Sequence, residues 1–169
     1  MTFKYSSYNL DNFGNHDSNK VFVIGLCGSG KSTISEHLSI IMKAELRTTD
    51  SISLELSPIK HSDRSKYEQL YLEQLNNLID SNSRLLIEGM GNLKLPWGFL
   101  CSQPLIIVKT SLIRCSHNCA IRSGYRFLSP SYFARFFEIL KHNIPKWLEI
   151  RKIEQYAKSY YMYSEYYAE

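Results

Sequence analysis

The sequence predicts an α/β fold: a parallel sheet of four to five strands, flanked by helices in three layers. Three observations predict it. Short apolar runs recur at 20–26, 45–49, 84–88 and 104–110, separated by segments of helical spacing; such alternation folds as right-handed βαβ crossovers. The first run leads into GLCGSGKST (25–33), a glycine-rich turn followed at once by a helical pattern. Gly25, Asp50, Glu88 and Thr110 each close an apolar run, which sets them along the carboxyl edge of the sheet, where α/β folds bind ligands.

Residues 1–19, rich in Asn, Ser and Asp and lacking a sustained period, read as a flexible N-terminal arm. Residues 20–169 read as a single domain without repeats or linkers. Lys20–Leu26 is β-branched and continuously apolar, as a buried parallel strand requires. Residues 31–43 place Ile34, Leu38, Ile41 and Met42 on one helical stripe. Glu45–Thr49 is a second strand ending at Asp50, and Asp63–Asp80 carries Tyr67, Leu70, Tyr71, Leu75 and Leu78 at helical spacing. Arg84–Glu88 and Pro104–Thr110 are the third and fourth strands, joined through the loop GMGNLKLPWG. From Ser111 onward the pattern is helical: one helix to a break at Gly124, a second with Ser129 as N-cap and Pro130 as first residue, and a last one opened by Pro145 that continues through the Tyr-rich tail.

The 169 residues suffice for one buried core. No apolar run reaches the length of a membrane span, and the N-terminal segment lacks the apolar core of a leader peptide. Four cysteines in such a chain suggest reduced thiols and a cytoplasmic protein, with no membrane association. The net charge of +4 is uneven: residues 1–108 carry −1 and residues 109–169 carry +5. The basic C-terminal third suits phosphate-bearing ligands, although a solvated helical surface gives the same bias.

GLCGSGKST matches G-x-x-x-x-G-K-[ST] at every position. Gly25, Gly28 and Gly30, with Ser29 between them, let successive backbone N–H groups turn inward on phosphate oxygens. The loop feeds a helix N-terminus, which favours an anion. Lys31 reaches the β- and γ-phosphates in such a loop, Ser32 ligates Mg²⁺, and Thr33 lies near the α-phosphate. Cys27 reads as a small loop residue. The cofactors expected are therefore ATP and Mg²⁺.

With this motif about 25 residues in, fewer than 200 residues and arginines after the fourth strand, the chain resembles the small P-loop kinases of the P-loop NTPase superfamily: shikimate and gluconate kinases, nucleoside-monophosphate kinases and the kinase domain of polynucleotide kinases. The resemblance covers residues 20–155 and rests chiefly on GLCGSGKST. It implies transfer of the γ-phosphoryl group of ATP, with Mg²⁺, to a hydroxyl-bearing small molecule or nucleotide. Asp50, 19 residues after Lys31, falls where shikimate-kinase-like and polynucleotide-kinase-like enzymes place an Asp facing the acceptor hydroxyl. Shikimate kinases carry Asp-x-Asp there, whereas this chain has Thr48-Thr49-Asp50. Glu88 resembles an acid that holds a Mg²⁺-bound water. Gly89 and Gly91 resemble the glycine turn that approaches an acceptor, and an acid merely paired with a Lys or Arg is the competing reading of Glu88. The resemblance further implies a short helical lid, with lid roles for Arg122 and Arg126 and with Arg114 in the same region. It places Arg64 in the acceptor-binding segment and Arg151 near the base or the acceptor.

Other signals carry less. In CSHNC, helical spacing puts Cys115 and Cys119 on one face and His117 off it, without a second ligand pair. The Tyr-rich tail is expected to pack on the domain or on a partner subunit, in a monomer or homodimer. Two other classes compete: a kinase acting on a hydroxyl of DNA or RNA, and a non-kinase P-loop ATPase or isopentenyl-type transferase. A GTPase is disfavoured because no Asn/Thr-Lys-x-Asp motif follows the later strands.

Overall fold

The computed structural model describes residues 20–80, 84–89, 104–159 and 163–167. The expected arm (1–19) and Gly91 lie outside them. Strand β1 (Lys20–Gly25) is central, with β3 (Leu85–Gly89) on one side and β4 (Leu105–Lys109) on the other. β2 (Glu45–Thr48) and β5 (Tyr163–Tyr167) complete a five-stranded parallel sheet in the order β2-β3-β1-β4-β5.

Strand alternation divides the interior into two cores. Phe22, Ile24, Leu85, Ile87, Leu105 and Ile107 face one side, where α4 (Arg64–Asp80) contributes Tyr67, Tyr71 and Leu75, and α6 (Pro130–Ser159) contributes Ile150 and Ile153. Val21, Val23, Leu86, Ile106 and Val108 face the other, covered by Leu38 of α1 (Lys31–Met42). Burial on both faces is why these strands read as unbroken apolar runs. The three layers are those the sequence predicts. Among the described residues no helix is long and apolar enough to cross a membrane.

Three expectations change. The second strand stops at Thr48, and α2 (Thr49–Glu55) begins there, followed by α3 (Ser57–Ser62). The cause is local: Thr48 Oγ1 accepts from the Ser51 backbone N–H at 3.0 Å, and Ser51 Oγ donates to the Thr48 carbonyl at 2.7 Å. That pair of hydrogen bonds ends the strand one residue early. Asp50 therefore rides the first turn of α2 instead of closing a strand.

Pro145 does not open a new helix, because α6 runs through it. Proline removes one helical hydrogen bond, but buried Tyr132, Asn143, Ile150 and Ile153 hold the helix on both sides of it. The expected start is kept, with Ser129 Oγ accepting from the Tyr132 N–H at 3.1 Å. Finally, 163–167 is the strand β5, in register with β4 from Leu105↔Tyr163 to Lys109↔Tyr167. A β4 edge left open would expose unpaired backbone groups, and tyrosines favour the pleated conformation that pairs them.

Candidate active site

The carboxyl ends of β1, β3 and β4 converge on the turn between β1 and α1. Gly30, in the left-handed region at φ 89°, caps α1 without any side-chain hydrogen bond, and the first turn of α1 holds no acid. The leading N–H groups of that helix are thus left to an anion. Gly28 has φ 81°, and a Cβ there would come within 3.0 Å of Cys119 Sγ and 3.2 Å of Asn118 Cβ. The loop lies directly on α5 (Leu112–Arg122). Asn118 Nδ2 donates to the Gly28 carbonyl at 2.8 Å, and Thr110 Oγ1 donates to the Ser29 carbonyl at 2.9 Å. Both ties come from the segment after β4, so the sheet edge sets the loop's shape.

Lys31 is buried, with Nζ 3.6 Å from Oε1 of Glu88, itself 6 % exposed. Ser32 Oγ donates to the same Oε1 at 3.0 Å. The pairing follows from sheet register, since Glu88 lies opposite Val23 of β1 and Thr48 of β2. Two hard oxygen donors, one of them anionic, beside a glycine turn at a helix N-terminus suit Mg²⁺. That ion is typically held by one or two carboxylates together with water and substrate phosphates.

Gly89 has a steric reason. A Cβ there would lie 2.5 Å from Thr49 Cγ2 and 2.8 Å from Thr49 Cβ, so the end of β3 and the start of α2 touch only because residue 89 is glycine. This seats exposed Asp50, the next residue of α2, beside the strand end that carries Glu88. Gly89→Ala is expected to destabilise the fold by about 1–3 kcal/mol through overpacking, read as a lower denaturant midpoint. An unchanged midpoint would mean that this junction gives way freely.

α6 adds a residue that the sequence reading passed over. Lys146 Nζ lies 2.6 Å from His142 Nε2. Burial lowers the Lys146 pKa, and the Lys31 charge adds to that shift while the Asp50 carboxylate opposes it. Lys146 is therefore within electrostatic reach of both Lys31 and Asp50. The available signal was the i, i+4 pair His142 and Lys146 in the basic third of the chain.

The other arginines are not gathered here. Arg122 ends α5 and Arg126 lies in the following turn; both are exposed, and among the described residues neither side chain makes a hydrogen bond or ion pair. Arg64 is exposed and bonded to Glu68 at 3.1 Å. Arg151 stacks on Trp147 at 5.1 Å and reaches Glu154 at 3.4 Å, beside the Lys109–Glu154 pair at 2.7 Å. With Leu26, Thr110 and Trp147 it lines a cavity of about 530 Å³ next to the loop.

No protein-family model matches the chain, and no curated protein matches it. Solved structures do. A shikimate kinase from Bacteroides thetaiotaomicron superposes with a TM-score of 0.55 at 13% identity, over 77% of this chain and 82% of that one. A shikimate kinase from Acinetobacter baumannii, in complex with shikimate, gives 0.50 at 17% identity, over 78% and 79%. A gluconokinase from Sinorhizobium meliloti 1021 gives 0.49 at 14% identity, over 87% and 98%. The chain thus has the α/β P-loop fold found in small kinases. At this identity the likeness concerns the fold.

Proposed function

We propose that the protein is an ATP-dependent phosphotransferase that moves the γ-phosphoryl group to an alcohol on a small molecule or nucleotide. The observation that carries this reading is the convergence at one sheet edge. Lys31, Ser32 and Glu88 share a single carboxylate oxygen, and Gly89 seats the turn bearing Asp50 against them. A pure nucleotide switch has no use for a second carboxylate on the acceptor side.

The roles follow from chemistry. Gly25, Gly28, Ser29, Gly30 and Thr33 form the cradle, and Lys31 neutralises charge on the transferring group. Ser32 and Glu88 would hold Mg²⁺, which when bound would supply positive charge to offset that of the phosphates. Asp50 orients the acceptor hydroxyl and takes its proton as the new P–O bond forms and the bond to ADP breaks. Arg122 and Arg126, without a side-chain partner among the described residues, close over the phosphates as a lid. Arg64 and Arg151 serve the acceptor or the base. Thr48 spends its hydroxyl on the α2 cap, so Asp50 is the acceptor-side acid of this strand end.

The test is a panel of hydroxyl acceptors (nucleosides, nucleoside monophosphates, sugars, shikimate and 5′-hydroxyl oligonucleotides) incubated with γ-labelled ATP and Mg²⁺. Label should move to a small acceptor. Label only on oligonucleotides would shift the reading to a nucleic-acid kinase. ATP hydrolysis that no acceptor accelerates would make the protein a regulatory ATPase.

A further inference from the structure

Cys27 sits in the phosphate-binding turn and is exposed, whereas Cys119 is buried on α5. Their Sγ atoms are 3.0 Å apart, with the Cys119 thiol directed at the Cys27 sulfur. Two observations show that this approach is built into the packing. The absence of a Cβ at Gly28, the neighbour of Cys27, lets the loop lie against α5, where such a Cβ would strike the Cys115 carbonyl and crowd Cys119 Sγ, and Asn118, the neighbour of Cys119, binds the Gly28 carbonyl at 2.8 Å. A disulfide needs its sulfurs at about 2.05 Å, so closure asks for a movement of about 1 Å. The third described cysteine, Cys115, is fully buried, and its thiol is directed at the Thr110 carbonyl.

We propose that Cys27 and Cys119 are a reversible oxidation site whose disulfide clamps the phosphate-binding loop to the lid-bearing helix α5, with a peroxide as oxidant. Peroxide oxidises the exposed Cys27 thiol to a sulfenic acid and is itself reduced, hydrogen peroxide giving one water. Cys119 sulfur then attacks the Cys27 sulfur, the S–O bond breaks, and hydroxide leaves with the Cys119 proton as a second water. The two thiols have lost two electrons in all, and a dithiol reductant returns them. Burial, reinforced by the hydrogen bond to Cys27, raises the Cys119 pKa to about 12, while burial raises that of Cys115 to about 11. Cys27 is exposed while Cys115 and Cys119 are buried, so peroxide meets Cys27 first and Cys119 resolves it.

The consequence for ligand binding rests on the nucleotide-binding reading above. Drawing Cys27 toward α5 displaces the N–H groups that must converge on phosphate, and it ties the loop to the helix that ends in Arg122. Nucleotide affinity should fall at least tenfold on oxidation. By reciprocity, saturating ATP should slow disulfide formation.

The experiment treats the full chain with hydrogen peroxide and blocks free thiols. It then maps disulfides on non-reduced peptides and measures binding of a fluorescent ATP analogue before oxidation, after it and after dithiothreitol. The expected result is a Cys27–Cys119 linked peptide, a tenfold or greater loss of affinity, and recovery on reduction. Cys119→Ser should bind the analogue normally and yield no linked peptide on peroxide treatment, and Cys115→Ser should respond like the wild type. Absence of that linked peptide from oxidised wild-type protein, or its presence with unchanged affinity, overturns the proposal without recourse to any variant. If the reduced chain binds no nucleotide, the functional reading fails, and the peptide map still decides the disulfide.

Discussion

Lys31→Met should lower phosphoryl transfer by about 10²–10³-fold, the scale on which loss of one charge-stabilising donor acts. It should also destabilise the protein. Lys31 and Glu88 are buried together, with side chains 11% and 8% exposed. Removing one member of a buried pair leaves the other charge uncompensated, at a cost of about 3–5 kcal/mol. The two effects separate in a double variant. Lys31→Met with Glu88→Gln removes both charges, so stability should largely return while transfer stays low. If the double variant were as unstable as the single one, the pair would not be electrostatically coupled. If Lys31→Met kept full transfer, the loop would have a different role.

Glu88→Gln alone should reduce transfer by about 10²-fold, with a signature that a structural acid would not show. Its carboxylate accepts from Ser32 at 3.0 Å and faces Lys31, so without a metal it repels an incoming phosphate. Removing its charge should preserve or tighten nucleotide binding in the absence of Mg²⁺ and abolish most of the gain that Mg²⁺ confers. Calorimetric titration with and without the metal reads both. An unchanged metal-dependent gain would show that Glu88 is simply the partner of Lys31.

Much of this was legible in the sequence because it depends on patterns that physics makes local. The strand–glycine turn–helix pattern at 20–43 is present as β1, its turn and α1, and the unbroken apolar strands announce a sheet covered on both faces. Glu88 was found for the same reason, as an acid closing such a run. Its bond to Ser32, 56 residues away in the chain, was beyond reach, since it depends on β3 pairing with β1. The early end of β2 turned on one side-chain cap at Thr48. The steric fit of Gly89 on Thr49 could not be inferred, because a glycine in a loop-like run has several explanations and only the neighbour decides among them. The tail misled because tyrosines suit helix and strand about equally by pattern, and the open edge of β4 settled the matter. Cys119 escaped because it meets the loop only once α5 folds back against it.

The most direct test of the account is steady-state kinetics of Asp50→Asn with the acceptor that the panel identifies. Asp50 is exposed on the first turn of α2 and outside both cores, so the substitution should leave stability and ATP affinity unchanged. The account predicts a fall in kcat of about 10²–10⁴-fold, the usual contribution of a positioned general base. Full transfer by Asp50→Asn would contradict it.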